Sequence, residues 1–250
     1  MRVINISIQV HLRRFRKVYH WGRGTPSTPF WRLWWNEQNS GIVEAVGKTF
    51  NPGPGKLLLI PPHTLVHRTL SSPTLHFHCH FNLGFPWDLV HDHVFEVEAP
   101  PNILAIIDDI MSDPGSPEQF ALVELLMDAL RQIPRHVFEG LRLDQRIERI
   151  IDYMSAHIDR IIPNSELANL LHLTPNSLTR LFKSQTGLSP QLFHRQLRLD
   201  HAALLLIRNT QMTIDEIAEN TGFHDRHHFS KAFKKRYHYS PSAYRHLNHR

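Results

Sequence analysis

The sequence predicts a multidomain chain of α and β class: a β-rich N-terminal barrel, a helical connector and an all-α C-terminal domain. Three observations predict it. Between Phe30 and about Glu98, aromatic and β-branched runs are short and broken by Pro and Gly, the pattern of strands joined by tight turns. Beyond Leu141 every run reads as helix. The excess of basic residues is confined to that second part. The expected boundaries are residues 1–99 for the barrel, 100–140 for the connector and 141–250 for the helical domain.

The charge division locates a partner. Residues 1–140 carry 12 Lys/Arg against 13 Asp/Glu, whereas residues 141–250 carry 16 against 10, so the formal charge of +5 belongs to the C-terminal part. A basic domain implies an anionic partner. The 20 histidines divide evenly between the two parts and do not cause the asymmetry. With 41% hydrophobic and 20% charged residues the chain is globular, not disordered. A single cysteine, Cys79, excludes an intrachain disulfide framework and a Cys-only zinc site, and suits a reducing cytoplasm. No apolar run reaches the ~18 residues of a membrane span. The alternating start Met1-Arg2-Val3-Ile4-Asn5-Ile6-Ser7 has no apolar core of a secretory signal. The expectation is a cytoplasmic protein without membrane contact.

The β-rich part contains Phe30-Trp31-Arg32-Leu33-Trp34-Trp35, Lys56-Leu57-Leu58-Leu59-Ile60-Pro61-Pro62 and Leu75-His76-Phe77-His78-Cys79-His80-Phe81. Pro100-Pro101 closes it. Two helices follow, roughly Asn102–Met111 and Pro117–Gln132, separated by the breaker Asp113-Pro114-Gly115-Ser116-Pro117. The second carries Phe120, Leu122, Val123, Leu125, Leu126, Met127 and Leu130. That stripe is broader than packing on one barrel face requires.

The C-terminal domain repeats itself. Arg180-Leu181-Phe182-Lys183-Ser184-Gln185-Thr186-Gly187-Leu188-Ser189-Pro190 matches Lys231-Ala232-Phe233-Lys234-Lys235-Arg236-Tyr237-His238-Tyr239-Ser240-Pro241 at an offset of 51. Upstream, Leu167-Ala168 matches Ile217-Ala218 at an offset of 50. Each copy reads as helix, tight turn, helix. In the first, Asn164 or Ser165 can cap a helix Glu166–His172; Thr174 can cap the next, with Pro175 at its first position; and Gly187 stops it. In the second, Thr213 with Glu216 forms a capping box, Gly222 makes the turn and Asp225 caps the last helix. Gln191–Ile207 is long enough to be one connecting helix, with an apolar stripe through Leu197 and Leu204.

Such a pair presents its second helix to a DNA major groove. The outward face must offer donors to base edges and cations to phosphates. With Leu178, Leu181 and Phe182 facing the core, Asn176, Ser177, Thr179, Arg180 and Lys183 point outward. With Phe229 and Phe233 inward, the second copy presents Arg226, His227, His228, Ser230, Lys231, Lys234 and Lys235. Arg180 suits guanine and Asn176 adenine. Any one such residue reads as a solvated helix face; two matching copies in the only basic region favour DNA.

At Ile214-Asp215-Glu216-Ile217-Ala218, Gly222-Phe223-His224-Asp225, Phe229-Ser230-Lys231-Ala232-Phe233-Lys234-Lys235 and Tyr239-Ser240-Pro241-Ser242-Ala243-Tyr244-Arg245 the chain resembles the AraC/XylS signature of bacterial transcription regulators. The resemblance covers about Arg146–Arg245. It implies two recognition helices in adjacent major-groove segments on one DNA face. The base-facing candidates are then Asn176, Ser177, Thr179 and Arg180, followed by Arg226, His227, Ser230 and Lys231. It also implies promoter DNA, RNA polymerase and a second copy of the chain as partners, activation more often than repression, and no cofactor. Two departures stand out. His238 replaces the usual glycine, and histidine takes the left-handed conformation at some cost. His227-His228 replaces smaller polar residues, which leaves the base preference of the second half-site open.

The run Pro54-Gly55-Lys56-Leu57-Leu58-Leu59-Ile60-Pro61-Pro62-His63-Thr64-Leu65-Val66-His67 resembles part of the cupin-like effector barrel of such regulators, with His63 where glycine is usual. Within it, His76, His78 and His80 share one strand face opposite Phe77, Cys79 and Phe81. That face can bind a metal, line a ligand pocket or be structural. Against a metal, the segment Trp31–Lys56 supplies no further histidine. Trp34 and Trp35 must face opposite sides of their strand, and Arg32 shares the face of Trp34. Arg32, Trp34, His76, His78 and His80 are the effector-site candidates, and the resemblance makes a sugar or related molecule the expected ligand. The rival is a metal-dependent cupin-type enzyme fused to a DNA-targeting domain; no activated nucleophile or acid/base pair supports it.

Overall fold

The computed structural model describes residues 6–21, 27–112, 119–139, 141 and 143–249. The chain divides into two compact units, Met1–Leu141 and Arg142–Arg250. The expected breaker at 113–117, the start of the helix after it and Gly140 lie outside the described residues.

Among the described residues the first unit forms eight strands: β1 Gln9–Val18, β2 Trp31–Asn36, β3 Gly41–Ala45, β4 Lys48–Phe50, β5 Lys56–Ile60, β6 His67–Leu70, β7 Thr74–Asn82 and β8 Phe95–Glu98. They form two antiparallel sheets, one in the order β1-β7-β2-β5-β8 and one in the order β4-β3-β6. β1 lies ahead of the segment from which strands were expected. Its register shifts between Val10 and Leu12, and that bulge breaks the two-residue period that would have marked it.

Alternation along β2 distributes the tryptophans. Trp31, Leu33 and Trp35 point to one face of the larger sheet, where they join Leu57, Leu59, Phe77, Cys79 and Phe81. Two helices cover that face, α1 Ile103–Ser112 and α2 Gln119–Arg131. They insert Ile103, Ile107, Ile110, Leu122, Leu125, Leu126 and Ala129 into the same core. The helices expected to connect two domains are therefore one layer of the N-terminal core. A short helix, α3 His136–Glu139, follows. On the opposite face Trp34, Leu58 and Ile60 pack with Val43, Ala45, Val66 and Trp21, so the smaller sheet covers that side. Burial of each large apolar side chain stabilises by about 1.5–3 kcal/mol, which explains why a strand as short as β2 is buried along its whole length.

The second unit is helical: α4 Gln145–Ala156, α5 Asn164–Asn169, α6 Pro175–Thr186, α7 Pro190–Arg208, α8 Ile214–Asn220, α9 Arg226–Tyr237 and α10 Pro241–His249. Helix α7 runs between the two repeated units. Its buried stripe is Phe193, Leu199, Ala202, Ala203, Leu206 and Ile207. Leu197 and Leu204, expected to mark the stripe, are only half-buried, because neighbours on both sides of α7 tilt the covered face toward the alanines. Among the described residues no helix is long and apolar enough to cross a membrane.

Candidate nucleic-acid interface and effector pocket

The two helix-turn-helix units are built by matching local chemistry. Thr174 caps α6, its hydroxyl accepting from the Ser177 amide at 3.2 Å, with Pro175 at the first helical position. Thr213 and Glu216 form the capping box of α8, at 3.2 and 2.7 Å. Asp225 caps α9 by accepting from the His228 amide at 2.8 Å. The first helix departs from expectation. Neither Asn164 nor Ser165 caps it; α5 begins at Asn164, with Pro163 in the cap position. The Asn164 side chain instead accepts from Gln191 at 3.0 Å and donates to Thr179 at 3.5 Å, tying α5 to α7 and α6.

The turns are also equivalent. The Leu173 amide donates to the Ala168 carbonyl at 3.0 Å, and the Phe223 amide to Ala218 at 2.9 Å. Both turns need a left-handed residue. Gly222 supplies it at φ 69° in the second unit; His172 supplies it at φ 54° in the first. The first-unit position was not legible, since histidine rarely takes that backbone. Gly222 has a second constraint, because a Cβ there would lie 2.8 Å from the Arg160 nitrogen and 2.9 Å from the Asp159 carbonyl carbon. The helix ends repeat as well: Gly187 stops α6 at φ 74° and His238 stops α9 at φ 65°.

Polar anchors that sequence reasoning missed fix each unit. Arg198 on α7 is buried and donates to the carbonyls of Gly222 at 2.8 Å and Thr221 at 3.4 Å, with its guanidinium 4.7 Å from the Phe223 ring. Burial lowers its pKa from the ordinary arginine value, with help from Arg195. Asp200 accepts from Arg236 at 2.6 and 2.8 Å and from the Tyr237 hydroxyl at 2.5 Å, locking α9 to α7. Arg160 and Tyr153 hydrogen-bond Glu166 and hold its carboxyl well below the usual carboxylate range.

On α6, Leu178 and Phe182 are buried and Leu181 half-buried, while Asn176, Arg180 and Lys183 are exposed. Ser177 and Thr179 are half-buried, and their hydroxyls are engaged locally: Thr174 donates to Ser177 at 2.9 Å, and Thr179 donates to the Pro175 carbonyl at 2.8 Å. On α9, Phe229, Ala232, Phe233 and Tyr237 are buried. Arg226, His227, His228, Lys231, Lys234 and Lys235 are exposed, and Ser230 is half-buried. Arg226 pairs with Asp215 at 3.2 Å, and His228 lies 3.0 Å from Asp225. Each second helix thus presents an exposed basic face over an apolar base.

In the first unit, Arg32 pairs across β2 and β7 with His80, Trp34 with His78, and Asn36 with His76. The five effector-site candidates therefore share one face of the larger sheet. The rings of His76 and His78 lie 5.2 Å apart, and those of His78 and His80 5.3 Å. His80 also stacks on Phe30 at 4.4 Å. His76 Nδ1 is 2.8 Å from Asn36 Oδ1 and 3.2 Å from the Trp35 carbonyl. Arg32 donates to the Thr64 carbonyl at 2.6 Å. Burial lowers the His76 pKa to about 3 and pushes His78 and His80 well below the ordinary histidine value, nearby cations adding to the effect. All three rings are neutral at pH 7. Among the described residues no three His, Cys, Asp or Glu side chains form a group that could hold a metal ion. His63, in the proline-pair loop, has φ 58°, the conformation that favours the glycine of the resemblance.

Comparison with known proteins addresses the helical unit first. Residues 167–246 match the model of a helix-turn-helix domain. The chain is 39% identical over 110 residues to the HTH-type transcriptional regulator MtrA of Neisseria gonorrhoeae, a match covering 43% of this chain and 34% of that protein. It is 27% identical over 227 residues to the arabinose operon regulatory protein of Escherichia coli, covering 83% of this chain and 77% of that one. The helical unit thus carries a helix-turn-helix domain similar to those of these transcription regulators. The fold is shared along the whole length: ToxT of Vibrio cholerae, solved with a bound unsaturated fatty acid, superposes with a TM-score of 0.60 over 99% of this chain and 98% of that one, at 15% identity. Both chains place a β-sheet unit before a helical unit.

Proposed function

We propose that this regulator binds promoter DNA through α6 and α9 together and that its N-terminal unit binds a small effector that sets its activity. The observation that carries the DNA reading is the equivalence of the two units, turned and terminated alike, with both second helices capped by a side chain and each presenting an exposed basic face. Arg180 and Asn176 read base edges, as do Lys231, Ser230, His227 and Arg226, the last after leaving Asp215. Lys183, Lys234 and Lys235 contact phosphates. Ser177 and Thr179 act at close range, because their hydroxyls already serve the helix. Such a partner places the protein in the cytoplasm, beside RNA polymerase.

The effector reading is supported by the ToxT complex with a fatty acid, by the name of the arabinose regulator, and by the buried polar face around Trp34. Sugars and sugar-derived molecules head the candidates, with activation as the output. The role is regulatory, not catalytic: three stacked histidines do not converge on one point. For control, the effector must favour one DNA-binding arrangement by a differential free energy. Phe120, Val123 and Met127 are exposed along one side of α2 and form the proposed contact with a second copy of the chain.

Operator selection from random duplexes with the full chain tests the proposal. The expected result is a bipartite sequence bound at least ~10³-fold more tightly than unrelated DNA at fixed salt. Binding to every duplex alike would refute it.

A further inference from the structure

The face that carries the three histidines is also lined by arginines from three strands. Across β1 and β7, Arg14 pairs with His78 and Arg16 with His76. Arg32 pairs with His80 from the other side. Arg68 comes from the smaller sheet, where its cross-strand partner is the buried Val43, and its guanidinium lies 5.5 Å from the Trp34 ring and 5.8 Å from Trp21. The guanidiniums of Arg32 and Arg68 thus lie over Trp34, and Arg14 and Arg16 stand beside the column of neutral imidazoles.

Arg14 and Arg68 make no hydrogen bond or ion pair among the described residues; Arg68 Nε, His78 Nδ1 and His80 Nδ1 are buried without a hydrogen-bond partner. The permanently charged groups acting most strongly on Arg14, Arg68 and the histidines are all arginines: Arg14, Arg16, Arg32 and Arg68. Burial brings the Arg68 pKa down to about 10. Two carboxylates of this unit are engaged with other groups: Asp88 accepts from the Leu83 and Gly84 amides, and Glu96 pairs with Lys56. Arg14 and Arg68 are half-buried; like charges held together out of bulk water without an anion oppose folding, and natural sequences keep such strain mainly where function needs it. A guanidinium fork matches a carboxylate in shape and charge, whereas the hydroxyls of a neutral sugar leave the repulsion in place.

We propose that the effector is a small carboxylate whose anionic end docks between Arg14 and Arg68 beside His78 and His80, with its body against Trp34. This rests on the effector reading above and narrows it: a sugar acid satisfies both, a neutral sugar only the first. The neutral imidazoles supply ring N–H donors, and the arginines supply the charge.

The test uses the full chain, with melting followed by tryptophan fluorescence, and matched pairs of probes at equal ionic strength: glucuronate and glucose, hexanoate and hexanamide, benzoate and benzamide. In at least one pair the acid should raise the melting temperature by roughly 2 °C or more while its neutral mate does not. Arg14→Gln and Arg68→Gln should each abolish that rise. Arg68→Gln should melt no lower than wild type without ligand, because it removes one half-buried like charge. If the neutral mates act as strongly as the acids, the carboxylate proposal falls and the effector reading stands. If no acid raises the melting temperature and Arg68→Gln lowers it, Arg68 is a structural clamp over the tryptophans and the proposal is overturned.

Discussion

Replacing His76 by glutamine should change how the N-terminal unit responds to acid. The native ring has a pKa of about 3, against 6.5 for the ordinary group, because burial and Arg68 disfavour the imidazolium. The unfolded chain therefore takes up a proton that the native state refuses. Stability from this group is present above 6.5 and is lost as pH falls toward 3. Between pH 7 and pH 5 the loss integrates to about 2 kcal/mol. Asp88 works the other way, since burial raises its carboxyl to about 7 and stabilises the fold as pH falls through that window. Asp88 is common to both proteins, so the difference between wild type and His76→Gln isolates the histidine. All five tryptophans, Trp21, Trp31, Trp34, Trp35 and Trp87, lie in the N-terminal unit, and urea unfolding followed by their fluorescence reports on that unit alone. The advantage of wild type over variant should shrink by about 2 kcal/mol from pH 7 to pH 5. A difference that is flat with pH would mean the native ring is protonated freely, and the argument from burial would fail.

Other substitutions probe the helical unit. Gly222→Ala should cost more than the ~1–2 kcal/mol of left-handed backbone alone, because its Cβ meets backbone of Asp159 and Arg160; His172→Gly, at the matching turn, should be neutral or stabilising by ~0.5 kcal/mol. Circular dichroism melting separates the two, and equal losses would contradict the equivalence of the turns. Arg198→Met should destabilise by about 1–3 kcal/mol, since two buried carbonyls lose their donor; an unchanged melting temperature would rule out that anchor. Arg180→Ala should relax base preference at one position of the operator and cost ~1–3 kcal/mol, whereas Lys234→Ala should weaken all sequences alike and flatten the salt dependence. Anisotropy titrations across salt and operator variants distinguish them, and a swap of the two phenotypes would reverse the assigned roles.

Local chemistry was the legible part. The caps at Thr174, Thr213 and Asp225, the stop at Gly187 and the opposed faces of Trp34 and Trp35 follow from residues within a few positions of each other, and the structure forms them. The left-handed His238 was readable because the family resemblance puts a glycine at that position. His172 was not, because histidine rarely takes the left-handed backbone that its turn requires. Arg198 reads as an ordinary polar residue of a long helix; only packing against the second turn shows its role. The arginine cluster was hidden for a stronger reason. Arg14, Arg32 and Arg68 meet through cross-strand register and sheet packing, and no local pattern encodes register between strands so far apart in sequence. Three histidines alternating on one strand were visible, but the cations facing them were not.

Hydroxyl-radical footprinting of the full chain on its selected operator tests the central claim most directly. The account predicts two protected segments on one face of the duplex, about one helical turn apart (~10 bp), with Arg180→Ala weakening protection in one segment and Lys231→Ala in the other. A single protected segment, or two that respond identically to either substitution, would contradict binding by two separate recognition helices.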